Sequence, residues 1–330
     1  MCINSFNVEA MEAQAVENAV ESEERILDFD EFGEAVKTIM MEKYPDAEVT
    51  VCEVCKEGNI TLHGLTIKPE GTNVSPIFYL EHFYGAYKNG ELSLSEVVEK
   101  IAEAYEANKV PESFDFSWIM NWESAKERVT VKLVNKEANK ALLEKIPHLD
   151  YLDEMAVIYK ILLPTDKMPN ENGIASITIS NEMVSSYGIN LATLQEAALE
   201  NTEKRLPMKL MSMFDAFVEL YGEEFAKSML PEIPSEGPQT LVLSNIEKIN
   251  GASVILYPGL LEKLGEKYGD FVLIPSSINE VLLVLVTSKK EMPNFNSMVK
   301  DVNRTSLAPD KVLANRAYYY DSKANELQIA

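Results

Sequence analysis

Apolar and polar positions along the chain switch repeatedly between a period near 3.6 and a period of 2, so helices and strands should interleave. Leu27, Phe29, Phe32, Ala35, Val36, Ile39 and Met40 recur at helical spacing and stop near Tyr44-Pro45, which predicts a first helix. Residues 48–55 and 59–68 then read as two strands joined by Lys56-Glu57-Gly58, a hairpin signal. Pro69-Glu70-Gly71 predicts a turn and 77–80 a short strand or helix entry. Helical patterns follow at 81–87 and 93–107, the second with Ser93 as cap and Glu96 three residues on.

Residues 110–122 hold one proline and two tryptophans without a clean period, and read as a connection that packs between domains. Beyond it, strand-like runs at 128–134, 155–163, 175–180, 240–244, 252–257, 270–274 and 281–287 alternate with helical patterns at 136–145, 182–187, 191–205, 209–230, 259–268 and 294–303. Residues 316–321 and 326–329 read as a last hairpin. The close spacing of 270–274 and 281–287 is also hairpin-like, which predicts a mixed sheet rather than a parallel one. The expected organisation is α+β: an acidic mobile leader at 1–25, a small α+β domain at 26–109, a packed connection at 110–125, and a larger mixed-sheet α/β domain at 126–330. No repeat occurs at solenoid spacing.

At 330 residues, 46% apolar, the chain has material for two cores. Its 30 basic residues are dispersed among 53 acidic ones, for a formal charge of −23. That balance argues against nucleic acid, whose phosphates need clustered Lys and Arg. Acidic patches could meet a basic protein, although a solvated surface that keeps the chain soluble is the plainer reading. No run approaches the ~18 apolar residues of a membrane span, and the N-terminus lacks a basic region followed by an apolar one. Three cysteines cannot all pair within one chain, which fits a reducing compartment. A cytoplasmic protein with no membrane contact is therefore expected.

Two stretches carry a family resemblance. One is Gly64-Leu-Thr-Ile-Lys-Pro-Glu-Gly-Thr-Asn-Val-Ser-Pro-Ile-Phe-Tyr-Leu80, continuing through Tyr84, Tyr87 and Gly90. The other runs from Ala175-Ser-Ile-Thr-Ile-Ser-Asn181 through Tyr187-Gly188-Ile189 and Asn201-Thr202. It continues through Gly251-Ala-Ser-Val-Ile-Leu-Tyr-Pro-Gly259 to Asp270-Phe-Val-Leu-Ile-Pro-Ser-Ser-Ile-Asn-Glu280. Together they resemble a domain-of-unknown-function family common in anaerobic gut bacteria, over nearly everything after residue 25. The C-terminal part is more distantly similar to a second uncharacterised cytoplasmic bacterial family. The resemblance implies no activity, substrate, cofactor or catalytic residue.

All three histidines and all three cysteines lie within the first 148 residues, so residues 149–330 alone cannot build a His-based triad or a His/Cys metal site. Cys52-Glu-Val-Cys55 has redox or half-zinc spacing, but it falls on a predicted strand rather than a helix N-terminus, so small apolar residues of a strand are the better account. His148, Asp150 and Asp153 gather an imidazole and carboxylates suited to Mg²⁺ or Mn²⁺; ordinary loop chemistry explains the same residues. Ser297 and Lys300 have the spacing of serine acyl-enzymes, without the elements that accompany it. Ser276, Ser277, Asn279 and Glu280 join two apolar strands. With Tyr257 and Asn181, also at predicted strand ends, they form the candidate ligand pocket, against the alternative of a hairpin rich in turn formers. The aromatic stripe Tyr79, Phe83, Tyr84 and Tyr87 suits a core and, failing that, a protein-binding patch. No phosphate loop, dinucleotide turn, zinc helix, nucleophile elbow or EF-hand occurs. A non-catalytic binding or accessory protein acting through protein contacts is expected, with no cofactor; the alternative is an enzyme with a carboxylate- or metal-based site at the C-terminal sheet edge.

Overall fold

The structure is a computed structural model that describes residues 25–71, 75–108, 117–164, 175–229, 239–286 and 294–330. The expected leader falls almost wholly outside these residues, as do residues 110–116 of the expected connection. The chain is α+β and divides into two compact units, one of residues 1–54 and 61–114, the other of 55–60 and 115–330.

The first unit opens with α1 (Phe29–Lys43). Asp28 accepts from the Glu31 N–H while the Glu31 carboxylate reaches back to the Asp28 N–H, a reciprocal cap that fixes where the helix starts. A three-stranded sheet follows, in order β1 (Ala47–Lys56), β2 (Ile60–Pro69) and β3 (Ile77–Tyr79). Two helices, α2 (Glu81–Lys88) and α3 (Leu94–Ala107), complete it, the second capped by the same reciprocal pair at Ser93 and Glu96. Phe32, Val36 and Met40 of α1 meet Leu65 and Ile67 of β2 and Val97, Ile101 and Tyr105 of α3 in one core. Phe83, Tyr84 and Tyr87 pack against that core, and the Tyr84 hydroxyl donates to the Leu27 carbonyl at 3.2 Å. Phe83, Tyr84 and Tyr87 of the aromatic stripe thus line the core, whereas the Tyr79 ring lies against His82, with centroids 5.9 Å apart.

The second unit holds a four-stranded sheet of β4 (Val129–Asn135), β5 (His148–Tyr151), β6 (Met155–Leu162) and β7 (Ser176–Thr178), with β4 and β5 flanking β6 and β7 pairing with β6. The chain then runs through α4 (Asn181–Tyr187), α5 (Leu191–Arg205), β8 (Met208–Ser212), α6 (Met213–Tyr221), α7 (Glu223–Met229) and β9 (Thr240–Asn245). After a 3₁₀ helix at Gly251–Leu256 come α8 (Leu260–Tyr268), β10 (Phe271–Ser277), β11 (Glu280–Leu285), α9 (Phe295–Ser306), β12 (Tyr318–Asp321) and β13 (Glu326–Ile329). The six late strands form one sheet in the order β13-β12-β10-β11-β9-β8. Every pairing described in this unit is antiparallel, a narrower pattern than the mixed sheet expected from interleaved helices.

Alternation along β4 and β6 sorts their side chains onto two faces. Val131, Leu133, Val157, Tyr159 and Ile161 enter the main core shared with the larger sheet. Val134, Ala156 and Ile158 turn the other way, onto Leu142, Leu143 and Ile146. Asn135, at the end of β4, donates its side-chain amide to the Leu313 carbonyl at 3.1 Å.

Several elements differ from the sequence reading; residues 148–151, expected as loop, form β5, paired with β6. Residues 252–257, expected as a strand, form the 3₁₀ helix, buried over Gly251–Ile255; a short apolar run is equally compatible with a buried helical turn. The single helix expected at 209–230 is β8 plus two helices. Gly222, at φ 86°, breaks the helical path between α6 and α7. Residues 136–145 form only a 3₁₀ turn and one α-turn at Lys140–Leu143. No helix among the described residues is long and apolar enough to cross a membrane.

Candidate functional site

The β10–β11 hairpin brings together Ser276, Ser277, Asn279 and Glu280, as their proximity in sequence requires. The Ser276 hydroxyl donates to Glu280 Oε1 at 3.0 Å, and the Asn279 N–H donates to Ser277 Oγ at 3.1 Å. Asn279 is used at both ends: its carbonyl accepts from Ser244 Oγ at 2.7 Å, and its Oδ1 accepts the Asn250 N–H at 3.0 Å. The Asn279 bonds tie the turn to β9 and to Asn250, the residue that precedes the 3₁₀ helix. Tyr257 and Asn181 have no bond to the hairpin among the described residues. Tyr257 is buried, and its hydroxyl donates to the Leu206 carbonyl at 2.5 Å. Burial, with the Glu203 charge adding to it, pushes this phenol above its ordinary range. Asn181 is exposed at the start of α4.

His148, Asp150, Asp153 and Glu154 have partners of a different kind. His148 and Asp150 lie on β5, where Asp150 is 2.8 Å from Lys136 Nζ and the His148 Nδ1 is 3.2 Å from the Ile146 carbonyl. Asp153, in the turn before β6, accepts from the Tyr318 hydroxyl at 2.7 Å and pairs with Arg316 Nη1 at 3.1 Å. Glu154 takes the Arg316 Nε at 3.2 Å and the Asn315 N–H at 2.5 Å. The result is an ionic clasp between the β5–β6 turn and the segment entering β12. Among the described residues no group of three or more His, Cys, Asp and Glu is placed to hold a metal ion.

Cys52 and Cys55 stand three apart on β1, and a period of 2 sends such residues to opposite faces of the strand. Cys52 donates weakly to the Gly64 carbonyl at 3.8 Å, whereas Cys55 packs against the small cluster that includes Val134, Leu143 and Ile158, with Lys145 Nζ 3.0 Å from its sulfur. Ser297 and Lys300 are both exposed on α9, and the Ser297 N–H serves the Asn294 cap.

Two further features carry no sequence motif. The first is a charged cluster on the sheet face opposite the main core. Lys132 of β4 and Lys160 of β6 both reach Glu57, with Lys160 Nζ 2.9 Å from Glu57 Oε1 and 2.9 Å from Thr178 Oγ1. Burial alone would raise the Glu57 pKa, but the two ammonium groups outweigh it and hold the carboxyl at about 2. For Lys132 burial wins over the Glu57 attraction, and its pKa sits below the ordinary lysine value. The sequence signal was present: one lysine interrupts each of the apolar runs Val-Thr-Val-Lys-Leu-Val and Val-Ile-Tyr-Lys-Ile-Leu.

The second is α6. Met213, Phe214, Ala216, Phe217, Val218, Leu220 and Tyr221 make it apolar on nearly every side, yet Ala216 is its only buried residue. One edge packs on Met211, Val242 and Leu282 of the larger sheet. On the solvent side Leu220 is 63% exposed, Tyr221 59% and Phe225 of α7 45%. The rings of Phe217, Tyr221 and Phe225 form a ladder with centroids 5.8 and 5.2 Å apart. The sequence predicts only a helical pattern over 209–230; the structure reveals how little of α6 is covered.

The model of a family of unknown function (DUF5688) matches residues 29–322. No curated protein and no solved structure matches the chain.

Proposed function

The chain belongs to this family of unknown function, DUF5688, and we propose that it is a non-catalytic binding or accessory protein that docks a protein partner on α6 and α7. The observation that carries this reading is the exposure of Leu220, Tyr221 and Phe225 beside a helix that is apolar nearly all round. Such helices are ordinarily buried, and a contiguous apolar patch of this kind is a marker of an interaction surface. Leu220 and Phe225 are about half exposed, so covering what remains contributes roughly 1–1.5 kcal/mol each before the costs of association. Tyr and Phe at the centre supply rigid area at small entropic cost, as interface anchors do.

The charge around the patch selects the partner's chemistry. Residues 213–229 carry Asp215, Glu219, Glu223 and Glu224 against Lys227 alone. Lys209 and Lys248 bind Glu219 from outside the two helices, but the chain as a whole bears −23. An apolar segment with a basic rim meets both the greasy centre and the acidic field.

The test is paired affinity capture from native lysate. The wild-type chain is compared with a Leu220→Glu, Phe225→Glu variant and with a Met41→Glu control in the first unit. A protein of basic character held stoichiometrically by wild type and control, and released by the double variant, supports the reading. Equal capture by all three contradicts it.

A further inference from the structure

Independently of that docking face, the Lys132–Glu57–Lys160 cluster is incomplete in both hydrogen bonds and charge. An ammonium group offers three donors and no acceptor. Among the described residues Lys132 Nζ has one acceptor, Glu57 Oε2, and Lys160 Nζ has two, Glu57 Oε1 and Thr178 Oγ1. Three N–H groups are left over. The Lys132 side chain is only 8% exposed and that of Lys160 14%, so bulk water reaches them poorly. Leaving such donors unmet costs about 1–3 kcal/mol apiece, more when charged.

The charge count points the same way. Two cations share one carboxylate. Lys311 adds further positive potential at Lys132, while its own ammonium is 2.9 Å from Asp310. The surrounding sequence is basic in an otherwise acidic chain: residues 126–145 hold Lys126, Arg128, Lys132, Lys136, Lys140 and Lys145 against Glu127, Glu137 and Glu144. Buried charges are paired or neutralised, and among the described residues one positive charge here has no counterpart.

The geometry points to a binding site for a small oxyanion, of the phosphate or carboxylate class, held by Lys132 and Lys160 beside Glu57. Such an ion supplies both what is missing: several acceptor oxygens on one atom, and a negative charge. Charge-assisted bonds from two ammonium groups are short and about twice as strong as neutral ones. Water would satisfy the donors but leave the charge unbalanced. Glu57 has a defined part in such a site: it holds the two ammonium groups together and leaves their remaining donors for the ligand.

The experiment titrates the full chain with inorganic phosphate and, separately, with acetate, at ionic strength held constant with chloride. Thermal unfolding and the lysine Cε methylene NMR signals are followed. The expected result is a saturable rise in Tm and a shift confined to the Lys132 and Lys160 signals, with at least a tenfold loss of affinity in Lys132→Met. A response to phosphate alone identifies the phosphoryl class, and a response to acetate the carboxylate class; either supports the site. No saturable difference from chloride, or one unchanged in Lys132→Met, overturns it and leaves water in the cluster. If Lys132→Met does not fold, Lys160→Met is read in the same way, and the wild-type lysine signals decide alone.

Discussion

The side-chain oxygen of Thr202, on α5, accepts the backbone N–H of Val131, on the edge strand β4, at 2.9 Å. Two residues on, the Leu133 N–H donates to Ser253 Oγ of the 3₁₀ helix at 3.0 Å. In an antiparallel edge strand, alternate N–H groups face away from the ladder and need partners from elsewhere. Here two buried hydroxyls stand in for a missing strand, and the Thr202 hydroxyl passes its own hydrogen to the Ala198 carbonyl at 2.5 Å.

Replacing Thr202 by Val keeps the shape and removes the acceptor. The Val131 N–H is then buried without a partner, at a cost of about 1–3 kcal/mol. Thr202→Ser retains the oxygen and loses less. Urea unfolding of the two variants separates the hydroxyl from the methyl group; equal losses would refute the role assigned to the hydroxyl.

Gly251 has no room for a side chain. A Cβ there would lie 2.0 Å from Ser244 Oγ and 2.3 Å from the Asn279 carbonyl oxygen. The serine can rotate, but the carbonyl belongs to the backbone of the β10–β11 turn. Gly251→Ala is expected to destabilise by about 3 kcal/mol, at the upper end of overpacking costs, read as a drop in Tm. A variant within 0.5 °C of wild type would show that the turn and the 3₁₀ helix do not pack as described, since a change of ~1 kcal/mol alone moves Tm by a few degrees.

How far the sequence carried the structure depends on what each pattern could encode. The spacing of Phe32, Val36 and Met40 and the cap signals at Asp28 and Ser93 report local structure, and α1 and α3 follow them. The hairpin at 56–58 and the 191–205 helix were equally legible. Residues 252–257 were not, because an apolar run buried on all sides has no polar face to set its period. Ser277, Asn279 and Glu280 share a turn simply because they are close in sequence, but two of the bonds that use Asn279 come from Ser244 and Asn250, more than 25 residues away in sequence. The Glu57 cluster needed the same kind of information: three charged residues drawn from 57, 132 and 160 meet only because β4 and β6 pair with Thr130 opposite Lys160.

The pH dependence of stability should carry the mark of Glu57. Its carboxyl titrates at about 2 in the folded chain against 4.5 as the ordinary value. Between those limits the unfolded state binds the proton that the folded state refuses. The contribution is therefore fully present above about pH 4.5 and is lost as pH falls toward 2. Glu57→Gln leaves two buried ammonium groups without their carboxylate and should cost about 3–5 kcal/mol at neutral pH. Its stability should also fall less steeply than wild type through that acid window. Denaturant midpoints measured from pH 2 to 7 test both points; parallel curves for the two proteins would refute the assignment.

The docking reading stands or falls on what touches α6 in the cell. A photo-crosslinking amino acid in place of Tyr221, compared with the same substitution at the exposed Met41, measures that contact directly. The account predicts a single dominant adduct from position 221, abolished when Leu220→Glu and Phe225→Glu are added, and no matching adduct from position 41. No adduct at 221, or the same adducts from both positions, would contradict it.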